Sequence, residues 1–441
     1  MRITRVKLLV SVFLYFFCYH VLAGDLSRAE RYSLLGLCNL AVSEASTTND
    51  TSLKLYAIYC LLGNGLVDSA YRLLDSIDDP KVKEVAKSLF MEVKVTLTPV
   101  VKSQGVGEDL VAIKNAFFDQ DYDKLFSLIE NLKSENLRKK YTALTYYRIG
   151  RWKEFLEITK NTDDEVLLYY RIKVKRLLGL RYNEELAKLR NREFNFYKLV
   201  ADWDRLIRCD GSSGNGYNSK GNSVDIEDSE NEDCYYLMTL QSAGLDGKSG
   251  SYALGCLEKD IDFIYNMKNP YYGIKALYVL KLSAKERERY SFLRPENRYV
   301  RLHAHLFGVE EDLIYAIMRQ ESLFNRFARS FADARGLMQM IVPTANWIAE
   351  NLGDSKSEHK LFIPFFSIRY GTWYLSHLSS RFNLPQVIVA YNKGPTRLTR
   401  WLAENTWVND AVDLAEFFPV EEARDYLKKV LVNYYYYRCK Y

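Results

Sequence analysis

Three aromatic residues recur at a fixed interval: Tyr122, Trp152 and Tyr182 stand thirty residues apart. They lie in the similar stretches "FDQDYDKLFSLIE", "YRIGRWKEFLEIT" and "LLGLRYNEELAKLR". In each, a short polar or glycine-containing turn precedes the aromatic and an amphipathic run follows it. A period near thirty residues is the signature of stacked helix–turn–helix units. One such unit cannot bury its own apolar face, so neighbours must stack to make a core. "CLLGNGLVDSAYRLLDSI" reads as an earlier copy. Residues from about 28 to 208 are therefore expected to form an α-superhelix, a solenoid of helical hairpins. Its curved surface either holds a polymer or partner, or is a helical layer without a ligand; both readings stay open.

Residues 210–233, "DGSSGNGYNSKGNSVDIEDSENED", break this pattern. They are rich in Gly, Ser, Asn and acids and poor in apolar groups, the composition of a flexible loop or linker. A helical pattern returns over 234–289, and a compact module starts near "FLRPENRY" and runs from about 290 to 441. No sustained apolar/polar alternation occurs anywhere, so the chain is expected to be essentially all-α. The segments are then 24–209 for the superhelix, 210–233 for the linker, 234–289 for a helical linker domain and 290–441 for the last module.

The first residues address the compartment. Arg2, Arg5 and Lys7 precede the apolar run "LLVSVFLYFFCYHVLA", and Val21-Leu22-Ala23 is a small-residue cleavage site. This is the three-part pattern of a secretory signal peptide over 1–23. The run is short for a membrane span. Cys18 lacks the small residues before it that a lipoprotein signal needs. Six of the seven cysteines follow the cleavage site, none forms a CxxC pair, and the chain has only five histidines. No metal site and no cofactor is expected. Export permits disulfides; Cys38 and Cys60 could face each other across a helical hairpin, with buried free thiols as the alternative. The net charge of +5 is too small to argue for nucleic acid. It favours an anionic polymer or membrane surface only weakly.

Chemistry concentrates in the last module. In "YAIMRQESLFN" the spacing predicts a helix, and Leu313, Ile317 and Phe324 share a stripe with Glu321. Its start is expected near Gly308, with Glu310, Glu311 and Asp312 in the first turn, where the macrodipole favours carboxylates. Glu321 has no such reason to be where it is. A carboxylate in an apolar stripe has its charged form disfavoured and its pKa raised, which suits a general acid. The alternative is a boundary glutamate paired with Arg319 or Arg326. Further on, Gly336-Leu337-Met338-Gln339 lets backbone approach the helix. Gln339 can both donate and accept, which suits a sugar amide or hydroxyl; core methionines in a loop are the alternative. In "PQVIVAYNKGPTRLTRW", Gly394-Pro395 ends a helix and leaves Tyr391 and Asn392 in its last turn. "LAEFFPVEEARDYLKKVLVNYYYY" reads as a helix bearing Glu421, Glu422 and Arg424.

These four segments together resemble the catalytic domain of the soluble lytic transglycosylases of the bacterial periplasm, a goose-lysozyme-like fold. The family pattern is R-Q-E-S on a helix, then G-L-M-Q, then A-Y-N-x-G-P, then P-F-x-E-T-R-x-Y. This chain reads Arg319-Gln320-Glu321-Ser322, Gly336-Leu337-Met338-Gln339, Ala390-Tyr391-Asn392-Lys393-Gly394-Pro395 and Pro419-Val420-Glu421-Glu422-Ala423-Arg424-Asp425-Tyr426. "IRYGTWYL" is similar to the helix between the second and third motifs. The resemblance covers roughly 290–441, and the helical part before it is similar in architecture to the larger soluble members, whose superhelix closes into a ring. Three positions depart. Ile341 stands where the family has a methionine, Lys393 replaces a small residue, and Ala423 replaces a threonine.

The resemblance implies an all-α chain with an N-terminal α-superhelix followed by a lysozyme-like α-helical catalytic domain. It implies that Glu321 is the single acid/base cleaving the β-1,4 bond between N-acetylmuramic acid and N-acetylglucosamine, forming 1,6-anhydromuramoyl ends. Ser330, Met338, Gln339, Thr344, Tyr391, Asn392, Glu422 and Arg424 are the implied substrate-binding and positioning residues. A goose-type hydrolase and a non-catalytic peptidoglycan- or protein-binding scaffold are the alternatives. Peptidoglycan glycan strands are the expected partner, with cell-wall synthesis or secretion-machinery proteins as candidates beside them. The expected state is a monomer in the periplasm, with outer-membrane association left open.

Overall fold

The structure is a computed structural model that describes residues 38–45, 47–63, 67–91, 108–206, 209, 232–242, 250–267, 269–330 and 332–440. Residues 1–23 and nearly all of 210–233 lie outside the described residues. Among those described, the only strands are the two-residue pair Ala334–Arg335 and Met340–Ile341, and the rest of the regular structure is helical. The all-α reading holds. No described helix is long and apolar enough to cross a membrane.

The thirty-residue period is the period of one turn. Asp121, Arg151 and Leu180 each donate their N–H to the carbonyl five residues back, on Ala116, Tyr146 and Lys175, at 2.8–3.0 Å. The residues just before them, Gln120, Gly150 and Gly179, have φ of 62°, 76° and 68°. That is the Schellman closure, with one left-handed residue ending a helix. Tyr122 and Trp152 then open the helices Tyr122–Glu130 and Trp152–Ile158, and Tyr182 caps Asn183–Arg190. The longer helices Glu108–Phe118, Glu135–Arg148 and Glu165–Leu177 precede them, so three hairpins are built to one plan.

Compactness divides the chain into two units that interleave along the sequence. One takes its residues from before 98 and from 215–376; the other takes 98–214 and 377–440. The hairpins of the superhelix and the residues of the last module are thus each shared between units.

In the unit of 98–214 and 377–440, the helix Ala411–Phe417 is built into the hairpin core. Phe417 stacks on Phe117 with ring centroids 5.4 Å apart, and Tyr147 lies 4.3 Å from Tyr170. Asp413 is fully buried. Lys173 Nζ lies 2.6 Å from its Oδ2 and 2.7 Å from Oδ2 of Asp410. Tyr147 donates its hydroxyl to Asp413 (3.2 Å) and Tyr169 to Asp410 (3.1 Å). A buried carboxylate persists only with such partners. Cys209 and Cys439 are joined by a disulfide in the same unit.

In the other unit, Tyr235 donates to Asp79 (3.1 Å), tying the helix Glu232–Ser242 to the first hairpins. A disulfide joins Cys234 to Cys256. Cys60 is also disulfide-bonded.

Candidate active site

The helix carrying Glu321 runs Glu311–Ser322. It starts three residues later than expected, because Gly308 (φ 65°) ends the preceding helix Asn297–Phe307 instead of opening this one. Glu310 becomes the N-cap, and Asp312 in the first turn is held by Arg294 at 2.7 Å. Burial is not confined to one stripe: all six residues from Leu313 to Met318 are buried. Glu321 is half-buried at the C-terminal end of this enclosed rod. Arg319 donates to the Ser291 carbonyl and lies 4.4 Å from the Phe292 ring centroid.

The chain leaves the helix through two left-handed residues, Leu323 (φ 49°) and Phe324 (φ 64°). Neither is glycine, and each such conformation costs about 1–3 kcal/mol. Burial of Phe324, 1% exposed, and hydrogen bonds on both sides hold the reversal. Ser322 Oγ donates to the Leu337 carbonyl at 2.9 Å. The residue after the glutamate is thereby joined to the Gly336–Gln339 turn.

That turn depends on the close approach its glycine allows. Gly336 has φ 75°, and a Cβ there would stand 1.7 Å from the Leu361 carbonyl oxygen. Met338 is fully buried, and Gly371 lies against it so closely that a Cβ on Gly371 would come within 2.6 Å of Met338 Cε. Met338 N–H donates to Ser367 Oγ (3.2 Å). Met338 therefore packs in the core under the loop. Gln339, with φ 45°, donates its amide Nε2 to the carbonyls of Ala328 (3.0 Å) and Gly336 (2.9 Å). Ser330 is exposed, and its Oγ accepts from Ala334 N–H at 3.0 Å. Thr344 is half-buried in the first turn of the helix Val342–Leu352, and Ile341 is 42% exposed at the end of the ribbon. Arg335 binds Asp333 at 2.9 Å and Glu358 at 3.0 Å, and together with Arg329 holds the Asp333 carboxyl below its ordinary range.

Tyr391, Asn392, Glu422 and Arg424 belong to the second unit. Tyr391 and Asn392 are half-buried near the end of the helix Leu384–Lys393, which Gly394 stops at φ 86° as the sequence indicates. Asn392 donates to Glu422 at 3.4 Å, and its own Oδ1 is buried without a hydrogen-bond partner. Lys393 makes a short ion pair with the same carboxylate. The Lys393 hydrogen bond holds the exposed Glu422 carboxyl below the usual carboxylate range. Arg424 turns inward: it donates to the Phe418 carbonyl (2.7 Å) and lies 4.4 Å from the Phe118 ring centroid. Ala423 is fully buried, a position where a hydroxyl would need its own partner.

Sequence reasoning missed Ser367, Asn325 and the role of Gly371. For Gly371 a signal existed. An isolated glycine inside the helical run "IRYGTWYL" indicates close approach by another element. Ser367 and Asn325 carry no comparable signal, since their partners are distant in sequence. No cluster able to hold a metal occurs among the described residues.

Residues 298–414 match the family of the transglycosylase SLT domain. The soluble lytic murein transglycosylase of Salmonella typhimurium is 34% identical over 134 residues, 30% of this chain and 21% of that protein. The membrane-bound lytic murein transglycosylase C of Haemophilus ducreyi is 34% identical over 154 residues, 30% of this chain and 42% of that protein. The matched part thus spans about a fifth of the soluble relative. Among solved structures, the 70 kDa soluble lytic transglycosylase of Escherichia coli superposes with a TM-score of 0.58 at 19% identity, covering 91% of this chain and 65% of that one. An inactive mutant of the lytic transglycosylase Slt from Pseudomonas aeruginosa gives 0.54 at 20% identity, covering 98% and 71%. The fold is that of these proteins: a helical superhelix and a lysozyme-like helical domain.

Proposed function

We propose that this chain, whose residues 298–414 belong to the transglycosylase SLT family, is a lytic transglycosylase of peptidoglycan. The observation that carries the reading is Glu321: a half-buried carboxylate ending a helix enclosed from Leu313 to Met318, with its neighbour Ser322 bonded to the Leu337 carbonyl. The anchored helix end fixes where the Glu321 carboxyl points, which is what a group that must deliver and then recover one proton needs.

Glu321 donates its proton to the glycosidic oxygen as the β-1,4 bond between N-acetylmuramic acid and N-acetylglucosamine breaks. The N-acetylglucosamine leaves with a free hydroxyl. The substrate's own acetamido group stabilises the electron-poor C1. Glu321, now ionised, takes the proton from the C6 hydroxyl of the same sugar as that oxygen bonds to C1. A 1,6-anhydro ring results, the carboxylic acid is regenerated, and no water is consumed. The tethered nucleophile has the entropic advantage of an intramolecular attack. One carboxyl serves both half-reactions, unlike the two-carboxylate scheme of most glycosidases.

The other residues support binding and positioning. Gln339 holds the turn beside the helix, with Met338 beneath it as packing. Ser330 and Thr344 flank the turn, and Tyr391 and Asn392 present polar groups at a helix end. The buried unpartnered Oδ1 of Asn392 is the kind of acceptor that a sugar hydroxyl or amide satisfies. Glu422, kept ionised by Lys393, is an orienting group, and Arg424 a structural one. We assign 24–209, 210–233, 234–289 and 290–441 to superhelix, linker, helical linker domain and catalytic segment. Export by residues 1–23, with a mature start near Gly24, places the protein in the periplasm with glycan strands as its partner; N-terminal sequencing of envelope protein tests this.

Mass analysis of products from purified peptidoglycan tests the activity. The anhydro product is lighter than the hydrolytic one by one water. Products carrying that water point to a goose-type hydrolase, and no products at all, with glycan binding retained, point to a scaffold.

A further inference from the structure

Two amide side chains with no solvent exposure, Gln241 and Asn269, stand outside the four sequence motifs. Gln241 closes a two-way clasp on the backbone of residue 269: its Nε2 donates to the Asn269 carbonyl (2.9 Å), and its Oε1 accepts from the Asn269 N–H (3.4 Å). The side chain of Asn269 is then free to reach elsewhere. Its Oδ1 accepts from Tyr271 N–H (3.3 Å), and its Nδ2 donates to Asn325 Oδ1 (3.2 Å). Asn325 Oδ1 also accepts from Phe327 N–H (3.0 Å), while Asn325 N–H donates to the Ser322 carbonyl (3.0 Å). The relay therefore ends on the left-handed reversal at Leu323 and Phe324, which begins two residues after Glu321. At its other end Gln241 sits on the helix Glu232–Ser242, which the Cys234–Cys256 disulfide ties to its neighbour.

Buried amides are retained where their hydrogen bonds are satisfied and specify one arrangement. Here every member bonds across elements far apart in sequence, and the arrangement they specify is the turn that ends the glutamate helix. We propose that Asn269 is a positioning residue for Glu321, holding the carboxyl's helix end through Asn325 in addition to the Ser322–Leu337 contact. This rests on the assignment of Glu321 as acid/base. Asn269 touches neither substrate nor Glu321 in this role.

The relay has a direction, which makes it testable. Asn325 acts toward Asn269 as an acceptor only, and Asn269 as a donor only. Asn325→Asp keeps both acceptor contacts and is expected to retain kcat within about two-fold. Asn269→Asp keeps the acceptor for Tyr271 but loses the donor and opposes oxygen to oxygen; kcat for release of anhydro-muropeptides should fall about ten-fold or more, with KM for glycan strands little changed. Asn269→Ser is the second variant, in case the buried carboxylate prevents folding. Its hydroxyl can still accept from Tyr271 N–H but cannot reach Asn325, and the same loss is expected. All assays run well below each variant's melting temperature, in the full chain, with Glu321→Gln beside them. Wild-type kcat in folded Asn269→Asp or Asn269→Ser overturns the proposal, as does equal loss in Asn325→Asp, or a loss that only tracks the unfolded fraction. If Glu321→Gln is inactive while the Asn269 variants are normal, the relay alone is wrong. If Glu321→Gln stays active, the acid/base assignment fails and the positioning role falls with it.

Discussion

Glu321 performs two proton transfers in the proposed reaction, so its amide analogue should fail at both. We expect Glu321→Gln to fold, bind glycan strands and lose at least about 10²–10⁴-fold in activity, the range for one general acid or base. Glu422→Gln should lose much less. Its carboxyl is exposed, and Lys393 holds its pKa down, so at neutral pH it has no proton to give. Comparable inactivity of a folded Glu422→Gln would require a second catalytic carboxylate. His303 sets a separate, pH-dependent expectation. It is fully buried between Phe307 and Phe365, and burial, helped by nearby Arg369, lowers its pKa to about 3 from 6.5. The folded state therefore keeps the ring neutral where the unfolded chain would protonate it. Its contribution is fully present above pH 6.5 and is lost as pH falls from 6.5 toward 3, with a slope approaching about 1.4 kcal/mol per pH unit. Denaturant unfolding of wild type and His303→Met at pH 7 and pH 4.5 should show the variant losing less on acidification. Carboxylate contributions are common to both proteins and cancel in the comparison.

At the scale of elements, the loop beside the glutamate helix depends on space as much as on torsion. Gly336 and Gly353 have similar φ, 75° and 70°, but a Cβ at Gly353 would meet nothing within 4 Å while one at Gly336 would collide with backbone. Gly353→Ala should cost about 1–2 kcal/mol from the left-handed conformation alone. Gly336→Ala must also displace the Leu361 carbonyl and should cost clearly more, by at least about 2 kcal/mol further; thermal melts of the pair decide this. The motif's glycine was legible in the sequence, as was the helix stop at Gly394. The start of the glutamate helix was not, because Gly308 serves as well to end one helix as to begin another. The ribbon of Ala334–Arg335 and Met340–Ile341 was too short to leave an alternating pattern.

For the whole molecule, the interleaving of the two units bears on fragments. Residues 24–209 read as a self-contained superhelix, yet Tyr147, Tyr170 and Phe117 pack with Phe417, and Lys173 faces Asp410 and Asp413. A fragment ending at residue 209 lacks those partners and leaves Lys173 without its acids. We expect it to show helical far-UV signal without a cooperative melt, whereas the full chain unfolds cooperatively. Asp413→Ala in the full chain should destabilise by about 3–5 kcal/mol, the range for breaking a buried ion pair by removing one member. A sharply melting 24–209 fragment would show that the hairpins are sufficient by themselves.

The sequence alone determined what is local and periodic. The thirty-residue repeat, the absence of alternation and the four ordered motifs follow from backbone periodicity and from residues whose roles are set by near neighbours. Tertiary structure alone decided the partners. Met338 became packing because Gly371 admits it, and Arg424 a brace because Phe418 and Phe118 lie within its reach. Asn325 receives Asn269 from 56 residues away, and Tyr147 donates to Asp413 across 266. Such contacts leave no periodic trace, because a side chain's environment is made by whichever segments the fold brings together, at separations where no local pattern connects them.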